Sequence, residues 1–239
     1  MNGNLRLQVA LAQLGFASRR GAAEIIKAAR VEVNGRVVVE PGQRVNLEKD
    51  AITVDGRSSC AEPLTYLILN KPKGVVTTVK DKHAARGVLD LIHRKDVRIY
   101  PVGRLDKDTT GLLLLTNDGP LAYRLTHPKF GVKKVYQVSL RGEPSLLKLK
   151  ELERGIILEG KKTYPCRIKV TAEREETTEV QVQLTEGRKR QIKKMFAAVG
   201  HPVLSIQRIG FGPLKLGDLK AGCWRDLTKN ERAQLQKWN

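Results

Sequence analysis

The chain is poor in the residues that build covalent or metal frameworks. Three cysteines in 239 residues, Cys60, Cys166 and Cys223, form neither a CxxC pair nor an even set, so no disulfide framework is expected and the thiols read as reduced filler. Four histidines, His83, His93, His127 and His201, stand apart, with no second histidine or cysteine at ligand spacing; no structural metal is expected. There is no GxxxxGK[ST] loop to cradle a nucleotide phosphate, and no internal repeat. No apolar run approaches the roughly 18 residues of a membrane-spanning helix, and Met1 to Asn4 do not open a secretory signal. The expectation is a cytoplasmic protein that does not bind membranes.

Acid is the other shortage. Against 44 Lys and Arg there are 25 Asp and Glu, a formal charge of +19, which folding does not require and which points to a polyanionic partner. The 41% of hydrophobic residues is enough for a core, so the chain is a folded one of one large domain or a small and a medium one.

Residues 1–57 read as one unit. Leu5, Val9, Leu11 and Leu14 suggest a first helix stopped by Gly15, and Ser18 caps a second through Glu24, Ile25 and Ile26. Val31 to Val39 is two alternating stretches about Asn34-Gly35, a hairpin signal. Nine basic against six acidic residues through Arg57 is a mild excess, and Arg19 and Arg20 at the second helix are candidates to grip phosphates. Residues 58–63 read as a linker.

From residue 64 to 239 the pattern is mainly of strands: Leu64 to Asn70, Val75 to Thr78, Ile99 to Val102, Leu112 to Thr116, Lys133 to Leu140, Arg167 to Thr171, Glu179 to Thr185 and Val203 to Ile209. Helices are expected at Leu121 to Leu125, Ser145 to Glu153, Arg188 to Val199 and Asp226 to Trp238. Strands interrupted by a few helices without regular alternation predict an α+β domain rather than a doubly wound one.

Four stretches of this second domain can carry chemistry. Gly103 to Gly111 is a polar, glycine-bounded loop before the run Leu112 to Leu115, and such a loop on a buried strand holds its carboxylate, Asp106, on a stiff support. Tyr136 follows Lys133 and Lys134, where a ring beside cations can stack on a base. Glu186 to Phe196 has five cations in eleven positions, a density that solvation or phosphate binding explains. Lys71-Pro72-Lys73-Gly74 is a turn expected to expose two lysines.

In this order these stretches resemble pseudouridine synthases, in particular the RsuA/RluB/RluE/RluF family that modifies ribosomal RNA. The first 57 residues resemble the αL RNA-binding module named after a small-subunit ribosomal protein, with Ala29 where such modules usually carry glycine. The resemblance implies a small N-terminal αL module followed by a mainly antiparallel mixed-sheet catalytic domain. It makes Asp106 the catalytic aspartate, Arg104 the arginine that helps open the RNA, and Tyr136 the residue that stacks on the uracil and is the candidate proton acceptor. Lys193 falls where relatives pair a basic residue with the aspartate, and Ile192 falls beside the base. Lys71, Arg188, Arg190 and Lys194 are expected to bind RNA.

The implied reaction is isomerisation of uridine in ribosomal RNA on a flipped-out nucleotide, by a protein expected to be monomeric. It gains or loses no electrons and demands no cofactor. Whether the carboxylate attacks carbon 1′, attacks carbon 6 or takes the 2′ proton is left open by the residues. Leu112 to Gly119 and Leu125 to Pro128 look closest to the RluB-like branch, which acts on large-subunit RNA. Two other classes remain: a non-catalytic RNA-binding assembly factor, and a magnesium nuclease using Asp106 and Asp108.

Overall fold

The computed structural model describes residues 4–58, 63–79, 86–94 and 97–237. Cys60, His83, most of the expected linker and the Trp238 end of the last helix lie outside them. The chain divides into two compact units, Met1–Thr65 with Arg94–Arg98 and Asn117–Gly119, and Tyr66–His93, Ile99–Thr116 and Pro120–Asn239.

In the first unit β1 (Leu5–Arg6) pairs with β4 (Arg44–Val45), and the helices α1 (Leu7–Gln13) and α2 (Arg19–Lys27) follow β1. The first helix therefore starts later than its apolar pattern suggested. The Ser18 hydroxyl accepts the Gly21 N–H at 3.0 Å and caps α2. Strands β2 (Val31–Val33), β3 (Arg36–Val38), β5 (Ile52–Val54) and β6 (Arg57–Ser58) form an antiparallel sheet in the order β3-β2-β5-β6. Asn34 at φ 52° and Gly35 at φ 76° turn the expected hairpin, because both central residues of such a turn need positive φ. Ala29, at φ 58°, adopts the left-handed conformation that glycine would take freely. Arg57 and Ser58 belong to this sheet, pairing with Val54 and Thr53, so the sheet reaches into the start of the expected linker. Leu7, Leu11, Ile26, Val31 and Val54 close the core.

The second unit holds β7 (Tyr66–Lys71), β8 (Tyr100–Pro101), β9 (Thr110–Thr116), α3 (Gly119–Thr126, from Pro120 on), β10 (Lys134–Arg141), α4 (Leu146–Arg154), β11 (Ile157–Leu158) and β12 (Lys161–Lys162). β13 (Arg167–Arg174), β14 (Thr177–Leu184), α5 (Gln191–Ala198), β15 (Val203–Phe211), β16 (Leu214–Lys215), β17 (Trp224–Asp226) and α6 (Lys229–Gln236) follow. The main sheet runs β13-β14-β10-β15-β9-β7-β17, with β8 on β9 and β16 on β15. Its pairs are antiparallel apart from β9 beside β15. The expected strand at Val75 to Thr78 is instead a loop with one bridge from Val76 to Gly87.

Two apolar cores clamp the sheet. Ile68, Leu112, Leu114 and Phe211 pack with Leu121 and Leu125 of α3 and Leu235 of α6. Val138, Leu140, Val180 and Val182 pack with Leu149 and Leu152 of α4 and with Ile192, Met195 and Phe196 of α5. Leu112 to Leu115 are fully buried, as a central strand covered on both faces must be. At Gly111 (φ 102°) a Cβ would fall 2.3 Å from the Arg208 carbonyl oxygen. Only glycine lets β9 approach β15 there, and this contact fixes where the loop before β9 emerges.

Candidate active site

That loop, Gly103 to Thr109, forms part of a cleft of about 730 Å³. Asp106, half-buried, lines it together with Arg104, Tyr136, Ile192, Arg188 and Arg190. Six residues singled out from sequence, drawn from the loop, β10, and α5 with the turn before it, thus converge on one space. Lys71, Lys193 and Lys194 do not line it, and Arg19 and Arg20 are exposed in the first unit.

The loop is gripped from one side by the stretch after β7. The Thr77 hydroxyl donates to the Leu105 carbonyl at 2.8 Å and accepts the Leu105 N–H at 3.2 Å. The Gly74 N–H donates to the Lys107 carbonyl at 2.8 Å, and the Thr109 N–H closes the loop on the Asp106 carbonyl at 3.0 Å. Backbone on both sides of Asp106 is therefore tied down, which is what a positioned carboxylate requires.

Lys71 was expected at the RNA surface; it is fully buried. Its ammonium donates to the carbonyls of Val75 at 2.8 Å, Pro72 at 3.0 Å and Lys107 at 3.3 Å. Burial pushes its pKa down to about 8, with the charges of Asp108 and Asp106 working the other way. Three carbonyls match the three donors of an ammonium, so this side chain staples the loop rather than meeting phosphate.

Lys193 departs from expectation too. Its ammonium pairs with Asp108, not Asp106. The hydrogen bond from Lys193 holds the Asp108 carboxyl below its usual range, against a smaller opposing effect of burial. With Asp108 so engaged, a magnesium site built from Asp106 and Asp108 is not assembled. Among the described residues no group of three or more His, Cys, Asp or Glu is arranged to hold a metal ion.

The basic run is also partly spent internally. The Arg188 guanidinium donates to Glu186 at 3.0 Å, to the Lys161 carbonyl at 2.9 Å and to the Lys162 carbonyl. Lys194 pairs with Glu159 at 2.6 Å. Arg190 stays exposed at the cleft, at φ 53° before the first turn of α5. α5 begins at Gln191, later than the expected Arg188, because these residues form the turn that delivers them to the cleft.

Two residues that bear on the cleft, Thr77 and Arg208, were not expected from sequence, and Glu186 was expected only as the head of a basic run. Glu186 is buried and accepts the Tyr164 N–H at 2.9 Å and the Gln191 side-chain amide at 2.7 Å. Arg208 faces Tyr136 across the β10–β15 pair and is 3% exposed. Its Nε donates to the Leu112 carbonyl at 2.7 Å, and its guanidinium lies 4.8 Å from the Phe211 ring centre. Burial pushes its pKa down, and Tyr136 opposes that shift. The available signals were a lone arginine inside an apolar strand and a lone acid heading a run of cations. Thr77 left no signal.

Residues 65–198 match the family model described as RNA pseudouridylate synthase, and residues 5–57 match the S4 domain. Over 233 residues the chain is 42% identical to "Ribosomal large subunit pseudouridine synthase B" of Bacillus subtilis (strain 168), spanning 97% of this chain and 95% of that protein. An "Uncharacterized RNA pseudouridine synthase" of Aquifex aeolicus (strain VF5) is 40% identical, spanning 98% of this chain and 94% of the relative. A solved crystal structure of a pseudouridylate synthase superposes with a TM-score of 0.70 at 31% identity, covering 97% of this chain and 99% of that one. Matched along nearly its whole length by such relatives and by a structure of the same architecture, the chain belongs to the RNA pseudouridylate synthase family and carries an N-terminal S4 domain.

Proposed function

We propose that the protein converts one specific uridine of large-subunit ribosomal RNA to pseudouridine, with Asp106 acting on a nucleotide flipped into the cleft. The carrying observation is the convergence of Asp106, Tyr136 and Ile192 on one cleft, with the backbone around Asp106 tied down by Thr77 and Gly74. The large-subunit assignment rests on the relative from Bacillus subtilis, whose name states that subunit.

In the reaction the bond from carbon 1′ to N1 breaks and a bond from carbon 1′ to carbon 5 forms. Carbon 5 releases its proton, and N1 gains one. Asp106 supplies the negative oxygen that opens the sequence. Tyr136 and Ile192 hold the flat base between a ring and an apolar side chain, and Tyr136 stands ready to take the carbon 5 proton. Arg104, exposed at the rim, takes the place of the departed nucleotide in the RNA. Arg190 meets phosphate at the cleft, and Arg19 and Arg20 do so in the S4 domain. A uridine already unpaired in a loop costs least to extrude, so a loop is the expected target.

Mapping pseudouridines across ribosomal RNA from cells with and without the protein tests this reading. One position in large-subunit RNA should lose its modification, and complementation should restore it. Unchanged large-subunit RNA would refute the assignment.

A further inference from the structure

Thr126 and Pro128 also line the cleft, and beside them three rings gather, Tyr123 and His127 exposed and Phe130 half-buried against the core that holds Leu121 and Leu125. Tyr123 sits in the last turns of α3, and the His127 N–H donates to its carbonyl at 2.9 Å, which stacks the two side chains on one face. Their ring centres are 4.9 Å apart. Phe130, from the short turn Pro128–Phe130, stands edge-on to Tyr123 at 6.0 Å and to His127 at 6.3 Å. The Lys129 ammonium lies 4.7 Å from the Phe130 ring centre and 5.7 Å from that of Tyr123. His127 is anchored by the Lys129 N–H, which donates to its Nδ1 at 3.2 Å.

A single exposed tyrosine means little. Here Tyr123 is 51% exposed within a cluster of three rings whose His127 and Lys129 are also exposed. The cluster borders the Asp106 loop: the Thr126 methyl would be 3.6 Å from a Cβ on Gly103. An apolar protein partner would not call for a lysine among the rings, and the +19 charge of the chain favours a polyanion. Nucleotides present flat π-faces joined by phosphates, and aromatic side chains accept any base. Extrusion of the target uridine breaks its stacking with both neighbours, and while Arg104 fills the gap a ring at the rim can restore stacking to one of them.

We infer that Tyr123, His127 and Phe130 form a stacking ledge for the base adjoining the target in the same RNA strand, with Lys129 turning to its phosphate. The inference rests on the reading that RNA enters this cleft.

The test uses the full-length protein and an unmodified transcript of large-subunit ribosomal RNA. Tyr123→Ala and Tyr123→Leu should each raise KM and Kd about 10-fold, kcat moving much less, whereas Tyr123→Phe, which keeps the ring, should restore both. In a short RNA cut from the converted region, removing the base on the ledge should cost the wild-type protein about 10-fold in binding and cost Tyr123→Ala nothing more. Tyr123→Leu binding as tightly as wild type would overturn the ledge, as would Tyr123→Ala and every abasic position acting independently. Should the wild-type protein convert no uridine in the transcript, the functional reading fails by itself. The Ala, Leu and Phe series in binding then decides the ledge alone.

Discussion

The Lys193 ammonium meets Asp108, two residues beyond the carboxylate proposed to start the chemistry. The contact ties α5 to the end of the Gly103 to Thr109 loop, and we propose that Lys193 serves Asp106 by holding that loop. Both partners are partly exposed, at 30% and 42% of their side chains, and such a pair adds little to global stability. Its value lies in placement, where small shifts of a reacting group cost much rate.

The first prediction follows. Lys193→Met and Asp108→Asn should each lower turnover about 10-fold, and the double variant should lose no more than either alone. The Asp108 carboxyl lies below its usual range in the folded protein, so the pair is intact above the ordinary carboxylate range and is lost as pH falls through the lowered value. Independent, multiplying losses in single-turnover assays would contradict the shared role.

Lys71 gives the second prediction. Its folded pKa of about 8 lies below the ordinary 10.5, so between those values the unfolded chain binds the extra proton and this group alone makes the fold more stable as pH rises. Over the same window the amine has one donor fewer than the ammonium for its three carbonyls. Turnover should therefore fall above about pH 8, while the thermal stability of wild type relative to Lys71→Met does not fall over the same window. In Lys71→Met that alkaline fall should be absent from an already reduced rate, and a wild-type-like fall would remove Lys71 from the loop clamp.

The elements legible in sequence were those set by local chemistry. Ser18 as a cap, Asn34-Gly35 as a hairpin turn and Leu112 to Leu115 as a buried strand need only neighbouring residues to be understood. Asp106, Tyr136 and Ile192 were singled out through a resemblance carried by their motifs, and the fold places them on one cleft. Lys71 was misread because a lysine beside Pro72 and Gly74 looks like an exposed turn. Only the fold shows three carbonyls, one from a loop 36 residues later, meeting its ammonium. Lys193 was paired with the wrong carboxylate because Asp106 and Asp108 are two residues apart and sequence spacing cannot say which one α5 reaches. Thr77 acts across loops, where nothing local marks it, and Arg208 acts across strands, where its one local mark was a lone arginine within a strand.

At Ala29 the backbone keeps the left-handed turn without glycine, at φ 58°. Ala29→Gly should relieve strain of about 1–2 kcal/mol per residue and give back part of it in chain entropy, a net gain of about 0.5–1 kcal/mol. Urea unfolding of the first unit's transition reads it. A loss of stability would mean that the turn is not strained.

Removing residues 1–60 should leave residues 64–239 folded and weaken RNA binding. We expect a shallower dependence of affinity on salt, since phosphate contacts such as those proposed for Arg19 and Arg20 disappear. Titration of the transcript over a range of salt checks this; an unchanged affinity and slope would show that the S4 domain does not contact phosphate.

The central claim is that Asp106 does the chemistry. Asp106→Asn keeps size and hydrogen-bonding shape but removes the charge and the nucleophilic or basic oxygen, so each route from carbon 1′, carbon 6 or the 2′ proton fails. The measurement is tritium release from carbon 5 of uridine in a ribosomal RNA transcript, with circular dichroism confirming the fold and a binding assay confirming the complex. The account predicts RNA binding at least as tight as wild type and release lowered by about 10³-fold or more, with Asp108→Asn far less impaired. Substantial tritium release by folded Asp106→Asn would contradict it.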